Sequence, residues 1–244
     1  MVMMLGTSCT TSNALFNPSN GLASSNSGPY KILVFSKTAG FRHDAIPAAI
    51  TAIGKLGIQN NFVADSVEDA SAFNDANLAQ YRAVVFLLTT GDVLDGNQQA
   101  AFERYIRSGK GYVGIHAASD TEYDWPWYGK LVGAYFLSHP AIQTASIYVE
   151  DRMHASIALL PERWVRRDEW YNFRTNPRAN VRVLARLDES TYSGGTMGDH
   201  PIAWSQYYDG GRAWYTGLGH TVESYSEPKF LAHILGGIQY AAER

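Results

Sequence analysis

Three short stretches set the terms for this fold: "YKILVFSKT" (30–38), "YRAVVFLLTT" (81–90) and "GYVGIHA" (111–117). Each carries a continuous apolar run without polar alternation. A strand with one face in water alternates, whereas a strand that is apolar throughout needs cover on both faces, as in a parallel sheet. The intervening segments can supply that cover. "HDAIPAAITAIGKLGI" (43–58) places Ala45, Ile46, Ala49, Ile50, Ile53 and Leu56 on one helical face, with Asp44 expected to cap its start and Gly57 to end it. "NFVADSV" (61–67) reads as another strand, and "LDGNQQAAFERYIRSGK" (94–110) as a helix between Asp95 and Gly109. The expectation is an α/β fold: a doubly wound, mostly parallel sheet with helices on both faces.

The second half has a different pattern. "AIQTASIYVED" (141–151) and "VRVLARLDEST" (181–191) alternate as half-buried strands do. "HPIAWSQYYDGGRAWYTGLGH" (200–220) reads as two strands joined at Asp209-Gly210-Gly211, a hairpin signal. "EPKFLAHILGGIQYAAER" (227–244) closes the chain as an amphipathic helix. These strands are expected to extend the sheet with antiparallel members.

Met1 to Tyr30 contains no Asp, Glu, Lys, Arg or His and is rich in Ser, Asn, Thr and Gly. That composition describes a flexible leader or the remnant of an export signal over residues 1–29, followed by one domain over 30–244. Cys9, the single cysteine, lies in the leader, so the domain uses neither disulfides nor thiol catalysis. "LGTSC" loosely resembles a lipoprotein attachment site, with the leucine one position too far from the cysteine. A net charge of −3 argues against a nucleic-acid partner. The sequence has no run of eighteen apolar residues to form a transmembrane helix. The 15 Tyr and 6 Trp suit either a sugar-binding surface or a large core.

In open α/β sheets ligands bind beyond the carboxyl ends of the strands. The first strand runs on to His43, the strand at 111–117 stops at His116 with Asp120 beyond it, and the last strand ends at His220. Three histidines at equivalent strand ends are expected to converge, although each alone reads as a cap or a solvent contact. "FLSHPAI" adds His139, "RRDEWYNF" adds Asp168, Glu169, Trp170 and Tyr171, and "GDHPIAW" adds His200. The carboxylate pair beside two aromatics suits proton transfer on a sugar, or else forms an exposed acidic turn. His200 can equally cap a strand, and His154 and His233 read as structural or surface residues. Thr89 and Thr90 are expected to offer hydroxyls to the same crevice.

Two chemistries fit such a cluster. Neutral imidazoles and carboxylates are ligands for zinc and similar divalent ions, with His43, His116 and His220 as the candidate ligands. Alternatively, imidazoles exchange protons with Glu169 or Asp120 without a metal. Without G-x-S-x-G or a cysteine in the domain, nucleophilic Ser or Cys catalysis is disfavoured.

"KILVFSKTAGFRH", "GYVGIHAASD", "YFLSHP", "DEWYNF", "HPIAW" and "GRAWYTGLGHT", in this order, resemble the ThuA-like (trehalose utilisation) family over roughly residues 30–244. The matching positions are His43, His116, Asp120, His139, Glu169, Tyr171, His200 and His220. The resemblance implies a fold related to flavodoxin-like sheets and to class I glutamine amidotransferases, whose elbow reads G-x-C-x-G. Here Gly114, Ile115, His116, Ala117 and Ala118 occupy the elbow, so glutamine hydrolysis does not carry over. The resemblance also implies carbohydrate metabolism, exported proteins of sugar-degrading bacteria, and company with oxidoreductases that make 3-keto sugars.

The functional expectation is therefore an exported (periplasmic or extracellular) enzyme that hydrolyses, eliminates or isomerises a glycoside or 3-keto-glycoside. In it His116, Glu169 and Asp120 carry the acid–base chemistry, and His43, His139, Trp170, Tyr171, His200 and His220 hold the carbohydrate. A non-catalytic carbohydrate-binding module and a metal-dependent hydrolase of a non-sugar substrate are the alternatives.

Overall fold

The structure is a computed structural model and describes residues 1–2 and 28–243. The expected leader and Cys9 lie outside the described residues, apart from the leader's two ends. From Tyr30 the chain forms β1 (Tyr30–Phe35), α1 (Ile46–Gln59), β2 (Phe62–Val67), α2 (Asp75–Leu78), β3 (Ala83–Leu87), α3 (Gly96–Arg107) and β4 (Gly111–Ile115). It continues through α4 (Pro126–Val132), β5 (Phe136–Ser138), β6 (Gln143–Val149), β7 (Arg163–Asp168) and β8 (Asn172–Phe173). Last come β9 (Arg182–Asp188), β10 (His200–Tyr208), β11 (Gly211–Thr216) and α5 (Pro228–Ala242).

Nine strands form one sheet in the order β2-β1-β3-β4-β11-β10-β9-β6-β7, and β5 pairs with β8 separately. From β2 to β11 every pairing is parallel, in the 2-1-3-4-5 order of flavodoxin-like sheets. From β11 to β7 every pairing is antiparallel. The expected mostly parallel sheet is thus corrected to a mixed one, half parallel and half antiparallel. Antiparallel neighbours need no covering crossover helix, so these strands add to the sheet directly.

Burial follows the sequence patterns. β3 and β4 are buried at every position, whereas β7 alternates exposed and buried residues as an edge strand does. Tyr112 of β4 meets Phe102 of α3 and Tyr128 of α4, with ring centroids 6.4 and 5.9 Å away. Trp214 of β11 faces the other way, where a Cβ at Gly237 of α5 would fall 2.4 Å from its ring. The parallel half therefore has helices on both faces.

Local signals differ in their outcome. Asp95 caps α3 in a reciprocal capping box with Gln98. The hairpin between β10 and β11 turns at Asp209 (φ 48°) and Gly210 (φ 94°), the positive angles of a type I′ turn. Asp44, by contrast, does not cap α1. That helix starts without a side-chain cap, and Pro47 in its first turn presets the backbone angle. Gly57 lies inside α1 rather than after it, where a Cβ would meet the Phe62 carbonyl oxygen at 2.6 Å. No helix among the described residues is long and apolar enough to cross a membrane.

Candidate functional site

The site forms where three strand ends meet a segment returning from the far edge of the sheet. β4 and β11 are adjacent and parallel, with Ile115 paired to Thr216. Their next residues run into the turns that carry His116 and His220. His116 sits at a sharp corner with φ 52°, a left-handed conformation that costs a non-glycine residue roughly 1–2 kcal/mol. The corner is held from several sides: Tyr215 Oη donates to the His116 carbonyl (2.8 Å) and to Ser119 Oγ (2.9 Å). Close packing requires Gly114, because a Cβ there would fall 2.6 Å from Tyr112 Oη. The strained strand-to-turn corner that would present a nucleophile elsewhere here presents an imidazole.

His43 arrives on the loop after β1, and the end of β3 holds that loop. Ala39 N–H donates to the Thr90 carbonyl (2.7 Å), Gly40 N–H to Thr90 Oγ1 (3.2 Å), and Thr90 Oγ1 to the Phe41 carbonyl (2.8 Å). The Thr90 hydroxyl is therefore spent on the loop, and Thr89 Oγ1 pairs with Thr121 Oγ1 (2.9 Å). Neither threonine lines the pocket described below, where both were expected to offer hydroxyls.

Glu169 follows β7, three strands beyond β11's neighbour β10. In a flat sheet β7 would lie roughly 19 Å from β11, at about 4.8 Å per strand. Instead, Gly219 N–H, just past β11, donates to Asp168 Oδ2 at 2.8 Å. The antiparallel half must therefore curl back over the strand ends, and register irregularities between β10 and β9 around Pro201 and Ala203 supply a bend. Asp168 fastens the closure. It is fully buried, and Oδ1 also accepts from His220 N–H (3.1 Å) and Glu169 N–H (3.0 Å). The Arg166 guanidinium lies 3.2 Å from Oδ2.

These elements gather four side chains. His116 Nε2 is 3.3 Å from Glu169 Oε2 and 3.2 Å from His220 Nδ1, and His220 Nδ1 is 3.1 Å from Glu169 Oε2. One donor atom each from His43, His116, Glu169 and His220 all lie within 4.8 Å of one another. His116 Nδ1 donates to the Gly217 carbonyl (2.9 Å), which leaves Nε2 facing the cluster. The His43 ring packs edge-on against the rings of His116 (5.1 Å) and His220 (5.0 Å), and its buried Nδ1 has no hydrogen-bond partner. His139 Nδ1 approaches the other Glu169 oxygen at 2.9 Å.

The environment sets the charges. Burial lowers the pKa of His43 to about 3, helped by the neighbouring His116 and His220, so the ring is neutral. Burial alone would raise Glu169, but hydrogen bonds from His116 and His220 outweigh it and hold the carboxyl below the ordinary carboxylate range. His220 is pulled down by burial, yet its contact with Glu169 carries it above the usual histidine value. Burial raises Asp120 above the usual aspartate value, against the hydrogen bond from Tyr123 Oη (2.6 Å).

A pocket of about 300 Å³ opens onto this group, lined by Phe41, His43, Asp120, Phe136, His139, Glu169, Tyr171 and His220. His116 lies behind the lining, fully buried, with its ring 4.1 Å from that of Tyr171. A larger depression of about 610 Å³ beside α4 and β10 has neither carboxylate nor imidazole in its lining.

Of the nine residues given catalytic or carbohydrate-holding roles from the sequence, seven lie in or directly behind the pocket: His43, His116, Asp120, His139, Glu169, Tyr171 and His220. Two lie elsewhere. Trp170 is fully buried and donates to the Gln143 carbonyl (2.9 Å). His200 starts β10 and is tied at both ring nitrogens, to Glu189 Oε1 (2.7 Å) and the Tyr171 carbonyl (2.8 Å). It braces the segment that carries Tyr171 rather than facing the cavity. His154 and His233 are both buried and lie outside the pocket lining. The bracing roles of Asp168 and Arg166 and the aromatic walls Phe41 and Phe136 had no local signal, since they depend on the curl of the sheet.

The chain is similar to known proteins along nearly its whole described length. A ThuA-like protein from Bacteroides uniformis is 25% identical, with 93% of this chain and 95% of that one aligned at a TM-score of 0.75. Another, from Parabacteroides merdae, is 21% identical over 88% and 90% of the two chains, with a TM-score of 0.73. A β-galactosidase from Bacillus circulans sp. alkalophilus shares the fold at 12% identity and a TM-score of 0.55, over 86% of this chain and 30% of its own. No curated protein matches the sequence significantly. The family model described as trehalose utilisation matches residues 31–241, in agreement with the ordered motifs read from the sequence. The chain belongs to the ThuA family.

Proposed function

We propose that the chain is a carbohydrate-active enzyme that cleaves or rearranges a glycoside or a 3-keto-glycoside by proton transfer in the histidine-lined pocket. One observation carries this reading: two carboxyls line one pocket, and their surroundings push them in opposite directions. Asp120 is raised by burial, while Glu169 is held down by its imidazoles. Environments that separate two titratable groups in this way divide their roles: the raised carboxyl is the stronger base and moves a proton, while the depressed one stays ionised and holds charge. Phe41, Phe136 and Tyr171 offer flat apolar walls to the C–H face of a sugar, and the family's description concerns a disaccharide.

In this reading the outer groups move protons and the inner ones hold charge. A ketone at C3 acidifies the C2–H bond. Asp120 removes that proton, and the charge developing on the C3 oxygen faces the inner imidazoles, of which His220 is favoured as the cation. The C1–O bond breaks as the C1–C2 double bond forms, and His139, at the mouth, protonates the departing oxygen. In this reading Asp120 takes the proton rather than His116, which is buried behind the lining with its Nε2 turned to Glu169 and His220 instead of the cavity.

The test follows loss of trehalose and of 3-keto-trehalose by chromatography. Turnover of either is expected, with kcat about 10²–10⁴-fold lower in Asp120→Asn. Binding without product after long incubation would establish a carbohydrate-binding module instead. Full turnover by Asp120→Asn would remove Asp120 from the chemistry.

A further inference from the structure

We infer that His43, His116, Glu169 and His220 form a binding site for one divalent transition-metal ion of the zinc class. The inference rests on the proposed enzyme reading only in assigning the ion a role: bound in place of the His220 proton, it would be the charge that polarises the substrate oxygen. The site itself is argued from geometry.

Donor atoms bonded to zinc at about 2.0–2.1 Å in a tetrahedron stand about 3.3 Å from one another. The three measured separations among His116 Nε2, His220 Nδ1 and Glu169 Oε2 are 3.3, 3.2 and 3.1 Å, close to three edges of that tetrahedron. The fourth donor, from His43, lies within 4.8 Å of all of them. Hydrogen bonds alone leave this group incompletely satisfied. Two ring nitrogens face each other at 3.2 Å, both directed at one carboxylate oxygen. A cation at the centre would give these inward-facing lone pairs a common acceptor.

The supporting contacts are those of a metal centre. Ligating histidines characteristically donate their second N–H to a carbonyl or carboxylate, which fixes the tautomer. His116 Nδ1 donates to the Gly217 carbonyl, and Glu169 Oε1 is engaged by His139 Nδ1. Three imidazoles and one carboxylate are the borderline donor set that suits zinc, cobalt, nickel or ferrous iron better than calcium or magnesium. His43, Glu169 and His220 also line the pocket, so an ion there would be open to a ligand from the cavity.

The experiment uses the full chain purified without a polyhistidine tag and stripped by a chelator. It is titrated with Zn²⁺ alone by calorimetry and with Co²⁺ by visible absorption. One equivalent per chain is expected, with a cobalt spectrum of four- or five-coordinate character. His220→Ala, the more accessible change, and His116→Ala are each expected to lower affinity by more than the roughly 10–100-fold that loss of a supporting partner costs. Asp120→Asn lines the same pocket without a donor in the group and should keep both stoichiometry and spectrum. Folding of each variant is checked by circular dichroism. Absence of binding in the folded wild type, or equal binding by a folded His220→Ala protein, overturns the site. Turnover unchanged after complete chelation overturns the ion's role while leaving the enzyme reading intact. One tight equivalent in a protein that turns over no sugar leaves the site standing and sinks the sugar chemistry.

Discussion

Asp168→Asn is the substitution whose consequence can be worked most fully from the structure. Each carboxylate oxygen has two donors: Oδ1 receives Glu169 N–H and His220 N–H, while Oδ2 receives Gly219 N–H and lies beside the Arg166 guanidinium. An asparagine amide has one oxygen and one NH₂ group. Whichever way it turns, the NH₂ faces two donors, and a neutral group replaces the charge beside Arg166. The Arg166 side chain is 4% exposed, and its remaining carboxylate, Glu227, stands 3.5 Å away. Removing one partner of a buried ion pair costs about 3–5 kcal/mol, a large share of the roughly 5–15 kcal/mol that stabilises a domain. With a urea m-value of about 2 kcal/mol per molar, the unfolding midpoint should fall by about 1.5–2.5 M at unchanged m. Glu227→Gln, which touches the better-solvated partner, should cost about 1 kcal/mol or less. An Asp168→Asn midpoint within about 0.5 M of wild type, at equal m, would refute the idea that Asp168 clasps the curled sheet to the strand ends.

Two further outcomes concern the core. Burial lowers the pKa of His233 to about 3, below its ordinary 6.5, so the unfolded chain binds a proton that the folded chain refuses. Stability from this group is fully present above pH 6.5 and is lost as pH falls towards 3, at about 1.4 kcal/mol per pH unit. His233→Gln should lower stability at pH 7 but flatten the urea midpoint profile between pH 6.5 and 5, and an unchanged slope would contradict the assignment. Gly237→Ala places a Cβ 2.4 Å from the buried Trp214 ring. Overpacking of about 1–3 kcal/mol should lower the melting temperature by a few to about 10 °C, and an unchanged melt would mean that α5 rides further from β11 than described.

The parallel half was readable because β3, β4 and most of β1 are buried on both faces and so lack alternation, and because Asp95 and Gly109 mark the ends of α3. β7 was not readable: its buried positions are Trp164, Arg166 and Asp168, and charged residues give no apolar signal. What buries Arg166 is tertiary: it lies between the Trp164 and Phe230 rings, at 4.9 and 4.6 Å. The convergence of His43, His116 and His220 followed from strand direction alone, since parallel strands end at one edge. The place of Glu169 depends on the curl that carries β7 back, and local pattern does not encode curl. Trp170 was a misleading cue, because the alternation along 169–171 points its ring to the core and leaves its neighbours Glu169 and Tyr171 on the pocket side.

The insertion of β11 beside β4 bears on how the chain is made. β4 is complete at Ile115, but its partner along that edge ends at Thr216, roughly 100 residues later. At synthesis rates of about 5–20 residues per second, a nascent chain holds an apolar, unpaired strand edge for roughly 5–20 s. Throughout that interval His116 has no Gly217 carbonyl to donate to and no His220 beside it. The edge of β4 that β11 covers therefore stays open until nearly the whole chain has been made, and the pocket can form only after that.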